Sequence, residues 1–151
     1  VSVANLGDVD GDGIIDIAVG ADLDDDGGAD RGAVWILFMN ADGTVKAEQK
    51  ISKAEGGFGP SLTFQCGFGQ SVVGIGDLDG DDVPDMVVGA PGFDDGGADR
   101  GAIFVILLNT DGTVKLAQAT STTTRSRTSS WARRSTTTAS APTTRTSARS
   151  G

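Results

Sequence analysis

Short apolar runs, fenced by glycine and aspartate, set the rhythm of this chain, and none is long enough for a helix. Ile17–Ala21 reads IAVGA and Met86–Ala90 reads MVVGA, both compatible with buried strands. Val34–Met39 and Ile103–Leu108 are unbroken apolar segments, as expected of strands covered on both faces. Each is followed by a turn sequence, Asn40-Ala-Asp-Gly43 or Asn109-Thr-Asp-Gly112. Asn, Asp and Gly there favour a hairpin into a further strand. In the second half of the chain the pattern predicts four strands, at Ser71–Ile75, Met86–Val88, Ala102–Leu108 and Thr113–Gln118.

The whole pattern occurs twice. DDGGADRGA stands at Asp25–Ala33 and again, 69 residues on, at Asp94–Ala102. VWILFMNADGTVK at Val34–Lys46 returns as IFVILLNTDGTVK at Ile103–Lys115. A repeat on this scale marks an array in which one unit cannot bury its own face. Four antiparallel strands per unit make the blade of a β-propeller. The expected fold is therefore all-β: a partial β-propeller of about two four-stranded blades. The first repeat is assigned to residues 1–53 and the second to 54–119, with an unstructured tail over 120–151.

Two acidic loops recur in the same register, DVDGDGIID at Asp8–Asp16 and DLDGDDVPD at Asp77–Asp85. Each carries carboxylates at loop positions 1, 3, 5 and 9: Asp8, Asp10, Asp12 and Asp16, then Asp77, Asp79, Asp81 and Asp85. Like charges about 4 Å apart repel by about 4 kcal/mol at an effective dielectric of 20, so such a loop calls for a counter-cation. Ca²⁺ suits it, accepting six to eight oxygens in a flexible geometry, whereas Mg²⁺ demands a stricter octahedron. Zinc would want nitrogen or sulfur, and the chain has no His and one Cys. The backbone carbonyls of Ile14 and Val83, at position 7, are further candidate ligands, as in related calcium loops. Position 6 needs a sharp turn that suits Gly13; Asp82 in the second loop takes it with some strain, so the second site is expected to be the weaker. An EF-hand would place a Glu at position 12 and continue as a helix; here Val19 and Val88 stand there, inside strands.

Phe68-Gly69 precedes the second loop and Gly89-Ala90-Pro91 follows it. On these motifs and the two loops, residues 1–119 resemble the FG-GAP repeats of the integrin α-subunit propeller and its bacterial relatives. The first copy lacks the Phe-Gly and has Asp22 where the motif has Pro. The resemblance implies calcium between the first two strands of a blade, a seven-bladed parent architecture, and loops on one face that bind partners.

Charge narrows the partners. The 21 acidic residues all precede residue 119, where only six basic residues accompany them, leaving that body near −15. Nucleic acid is thereby disfavoured. An acidic, calcium-loving body fits an extracellular or cell-surface setting, with a protein or glycan as ligand. No apolar stretch approaches the ~20 residues of a membrane-spanning helix, so direct membrane insertion is not expected of it. Cys66 alone leaves the redox compartment open. Without His there is no Ser-His-Asp chemistry, so the chain is read as a non-enzyme. The competing readings are accessory repeats of a secreted hydrolase and a calcium-dependent structural stalk. The acidic runs Asp24-Asp25-Asp26 and Asp94-Asp95 read as solvated turns before they read as a second cation site. Asp30-Arg31 and Asp99-Arg100 read as turn or ion-pair residues, and Trp35, Phe104, Phe58 and Phe64 as packing residues.

From Thr120 onward the chain is Ser, Thr, Arg and Ala without a single acid. Read one base back, with every codon ending in G, Thr120–Arg134 becomes DVDDDAVADVVVGAA. That string aligns without gaps on Asp8–Asp22. The stretch is therefore expected to be a third repeat translated out of frame, in which threonines at 120, 122, 124 and 128 replace four carboxylates and no metal site forms.

Overall fold

The computed structural model describes residues 1–94 and 100–121, and every regular element in them is a strand. The first blade comprises β1 (Ser2–Gly7), β2 (Asp16–Ala21), β3 (Ala33–Met39) and β4 (Val45–Ile51). The second comprises β5 (Ser71–Gly76), β6 (Asp85–Ala90), β7 (Ala102–Leu108) and β8 (Val114–Ser121). Both are antiparallel meanders in the order of the chain. The all-β, blade-like architecture read from the sequence is thus present, and each expected strand is found within a few residues of its expected limits.

β8 runs to Ser121, so its backbone enters the stretch that composition sets apart, with Thr120 opposite Ile103 and Ser121 opposite Ala102. Ladder pairing uses main-chain groups, which any side chain leaves available on an edge strand. The remainder of 120–151, and with it the reading of a third, frame-shifted loop, lies outside the described residues.

The hairpins joining β3 to β4 and β7 to β8 close as their sequences suggest. Asn40 N–H donates to the Thr44 carbonyl at 2.8 Å, and Asp42 accepts from the Thr44 amide at 3.0 Å. Asn109 and Asp111 repeat this with Thr113 at 2.9 Å in each case. Gly43 and Gly112 supply the left-handed backbone, with φ of 85° and 80°.

The core lies between the blades. It takes one face of β3 (Val34, Ile36, Phe38) and the opposite register of β7 (Phe104, Ile106, Leu108), together with Met86 and Val88 of β6. The segment between β4 and β5 adds Phe58, Leu62, Cys66 and Phe68 to the seam. Phe58, Phe68 and Phe104 form an aromatic cluster with centroid separations of 4.8–5.5 Å, within the range where tilted and edge-on rings attract. The inner strands β1 and β5 approach so closely that a Cβ on Gly74 would lie 2.2 Å from the Asn5 carbonyl oxygen.

Candidate metal centres

Each acidic loop hangs between the first two strands of its blade. A β-bulge before it, at Asn5/Gly7 and at Gly74/Gly76, turns the chain out of the ladder. The ninth loop residue is also the first of the next strand, and this makes Asp16 and Asp85 fully buried. Asp16 accepts the Val9 amide at 2.8 Å on one oxygen and the Met39 amide at 3.0 Å on the other. Asp85 does the same with Leu78 at 2.7 Å and Leu108 at 3.0 Å. These carboxylates therefore tie the loop to the end of the third strand. The nine-residue spacing shows them only as ligands, because the second anchor lies 23 residues away and is a main-chain group.

The first loop residue gathers amides. Asp8 accepts N–H groups from Gly11 at 2.8 Å, Asp12 at 3.0 Å and Gly13 at 2.8 Å. Asp77 accepts them from Gly80 at 2.7 Å, Asp81 at 3.1 Å and Asp82 at 2.8 Å. Those bonds, with the one from Asp82 first among them, hold the Asp77 carboxyl below its ordinary range. Gly13 has φ of 84°, and Asp82 occupies the same left-handed region at 69°, so the strain expected at position 6 of the second loop is present.

Carboxylate oxygens of Asp8, Asp10 and Asp16 lie within 4.8 Å of one another, as do those of Asp77, Asp79 and Asp85. An all-oxygen, anionic donor set of this kind fits a hard cation. Asp12 and Asp81 have one oxygen committed to the amide of Ile14 at 2.8 Å and of Val83 at 2.9 Å. Their other oxygen meets a lysine that the sequence reading passed over. Lys46, opening β4, bridges Asp10 and Asp12, and Lys115 of β8 bridges Asp79 and Asp81. These bonds raise both lysine pKa values, with that to Asp10 or Asp79 contributing most. Recurrence of Lys in each GTVK was the available signal; its place over the loop needed the hairpin to fold back.

A model of the FG-GAP repeat matches residues 1–37 and 68–106, together half of the chain. The chain belongs to the FG-GAP repeat family. It is 41% identical over 93 residues to integrin alpha-5 of Xenopus laevis, covering 62% of this chain and 8% of that protein. To integrin alpha-8 of Mus musculus it is 42% identical over 91 residues, and to integrin alpha-V of Gallus gallus 38% over 94 residues. These matches cover 60% and 62% of the chain and, in both cases, 8% of the relative, so the chain is an integrin-like propeller segment spanning a small part of such proteins.

The residues that give FG-GAP its name meet across the blades. Phe68-Gly69, leading into the second blade, sits on the Gly20-Ala21 and Gly32-Ala33 corners of the first. Gly32 and Phe68 form a parallel bridge, and Ser2 Oγ donates to the Gly69 carbonyl at 3.0 Å. A Cβ on Gly20 would lie 1.9 Å from that carbonyl oxygen, and one on Gly32 would lie 2.0 Å from the Phe68 carbonyl oxygen. Glycine is needed here for close backbone approach, a reason that the sequence reading did not supply.

Other residues fall into place around this seam. Asp24 and Asp26 converge on Lys50 Nζ at 2.9 and 3.4 Å, and Ser52 Oγ donates to Asp26 at 2.6 Å, so the first acidic run is an internally closed turn. Asp95 and Asp99 of the second copy lie outside the described residues. Asp30 takes a left-handed φ of 49°, in keeping with a turn residue, and Arg31 gives its carbonyl to the Phe68 amide at 3.1 Å. Phe104 and Phe58 are buried as expected. Trp35, the counterpart of Phe104, is half-buried on the outer face of the first blade with Lys50 5.3 Å from its ring centroid. Phe64 departs from the packing role read from the sequence: it is 60% exposed, because the turn that sends Cys66 and Phe68 inward leaves it pointing to solvent. Burial pushes the Cys66 thiol up, and its Sγ is 3.1 Å from the Arg31 carbonyl.

Proposed function

We propose that this chain is a calcium-binding segment of an integrin α-like propeller that serves extracellular adhesion or ligand binding. Calcium would be held at Asp8, Asp10, Asp12, Asp16 and the Ile14 carbonyl, and at Asp77, Asp79, Asp81, Asp85 and the Val83 carbonyl. The observation that carries this reading is the convergence of three carboxylates within 4.8 Å in each of two equivalent loops. When bound, the cation supplies charge neutralisation and cross-links the loop. The protein supplies preorganisation, through the amides that fix Asp8 and Asp77 and the buried anchors Asp16 and Asp85. Similarity to integrin α-subunits supports a protein or glycan ligand at the cell surface, and the acidic body supports the exclusion of nucleic acid. The residue sets 1–53 and 54–119 are proposed as the two repeat units.

Calcium should raise the thermal midpoint, and EDTA should reverse the rise. At a hundredfold excess over Kd each site contributes about 2.7 kcal/mol. In the Asp8→Ala/Asp77→Ala double variant the response should vanish. A folded parent whose melting and tryptophan fluorescence ignore calcium refutes the assignment.

The two lysines make a further expectation concrete. An ammonium lodged between two ligand carboxylates competes with an incoming cation for them. Lys46→Met and Lys115→Met should each tighten calcium binding severalfold in isothermal titration. Unchanged or weaker binding would show that the lysines do not compete.

A further inference from the structure

The two acidic loops touch: a proline of the second rests on the glycine that opens the first. A Cβ on Gly7 would lie 3.2 Å from Pro84 Cγ and 3.6 Å from Pro84 Cβ. Gly7 closes the bulge from which the first loop hangs. It pairs with Asp16, donates its amide to Asn5 Oδ1 at 2.8 Å and directly precedes Asp8. Pro84 stands between the Val83 carbonyl and Asp85. The contact therefore joins the candidate ligands Val83 and Asp85 of one loop to Asp8 and Asp16 of the other. We propose that Pro84 couples the two loops, so that calcium held in one raises the affinity of the other. This coupling rests on the calcium reading above and gives Pro84, which is no ligand, a positioning role.

Burial records the same junction. Val9, at position 2 of the first loop, is buried and shares the core with Val83 of the second. Their loops are covered only where they meet. Leu78, the counterpart of Val9, is 59% exposed, and Ile15, the counterpart of Pro84, is 56% exposed. The route between the loops is stiff. The Val83 carbonyl and the Pro84 nitrogen belong to one planar peptide unit, and the proline ring fixes the next torsion. Turning that carbonyl toward a cation therefore also places the ring that bears on Gly7. With φ of 92°, Gly7 lies where a glycine backbone ranges widely. The ring removes part of that freedom, so less conformational entropy is left to lose when Asp8 takes up its ligand position. A coupling of this kind acts equally in both directions.

The test is an NMR titration of the isotope-labelled full chain with calcium. The amides of Gly11 and Gly13, bonded to Asp8, report the first loop, and that of Gly80, bonded to Asp77, reports the second. Salt at about 0.15 M shortens the Debye length to about 8 Å and limits direct charge effects between the loops. Asp77→Ala, which removes the second site, should weaken calcium binding at the first by at least about fivefold. In a Pro84→Ala background the same change should leave only the smaller effect of the lost charge. Alanine lacks the Cγ that lies nearest Gly7, and Pro84 is only partly buried, so the variant should fold. Pro84→Gly, which removes the Cβ as well, should uncouple the loops at least as fully. Asp8→Ala should weaken the second site by a similar factor and lose that effect in the same background. Equal weakening with and without Pro84, or none in either case, overturns the coupling while leaving two calcium sites in place. Calcium shifts at neither loop overturn the calcium reading, and the coupling with it.

Discussion

Asp16→Ala is expected to cost about 3–6 kcal/mol of folding stability, from two charge-assisted hydrogen bonds at about 1.5–3 kcal/mol each. Both oxygens of this buried side chain are engaged, one by Val9 in the loop and one by Met39 at the end of β3. Alanine would strip both amides of their partner in a site that water reaches poorly. Asp85→Ala should behave alike through Leu78 and Leu108. Asn at either position keeps one acceptor oxygen and should fall between parent and alanine. Urea denaturation in EDTA is the decisive measurement, since it removes any contribution from metal. If Asp16→Ala unfolded at the parent's urea midpoint under those conditions, the carboxylate would serve a cation alone. A loss of the expected size would be a large part of the 5–15 kcal/mol that stabilises an ordinary domain.

The second large effect separates two residues that the repeat makes equivalent. Phe104→Ala should cost about 3–5 kcal/mol, as for other buried aromatic truncations, whereas Trp35→Ala should cost about 1 kcal/mol, on the scale of an exposed cation–π contact. Phe104 is fully buried and touches Phe58, Phe68 and Phe93, with ring centroids 5.3–5.5 Å away. Trp35 holds the same place in its strand but faces outward beneath Lys50. Chemical denaturation of the two variants beside the parent checks the contrast. Equal losses would mean that the outer face of the first blade is as well packed as the seam.

The reason for this contrast lies in how blades stack. Side chains along a strand alternate between the two faces of its sheet, and the seam uses one face of β3 and the other face of β7. Val34, Ile36 and Phe38 are therefore covered in the first blade, while Phe104, Ile106 and Leu108 are covered in the second. An apolar run such as VWILFM announces a strand with two apolar faces. It does not say which face has a neighbour.

Much of the candidate site was open to the sequence because its geometry is local. Positions 1, 3 and 5 of each loop alternate along a tight turn, glycine marks where φ must be positive, and the hairpins between third and fourth strands are written in Asn, Asp and Gly. Lys46 was harder to place, since it meets Asp10 and Asp12 only after the hairpin returns β4 alongside β3. Asp16 was visible as an acid but not as a buried anchor. Phe64 and Phe58 were indistinguishable in sequence, and the turn between them decides which is outside.

The repeat, the four-strand unit and the acidic loops can be read from the chain alone, since each follows from local propensity and spacing. What those residues touch emerges once the blades stack: Phe-Gly seated on glycines 20 and 32, carboxylates anchored to amides 23 residues away, and equivalent aromatics sent to opposite fates. Burial belongs to pairs of surfaces, and a strand's sequence describes one surface without naming its partner.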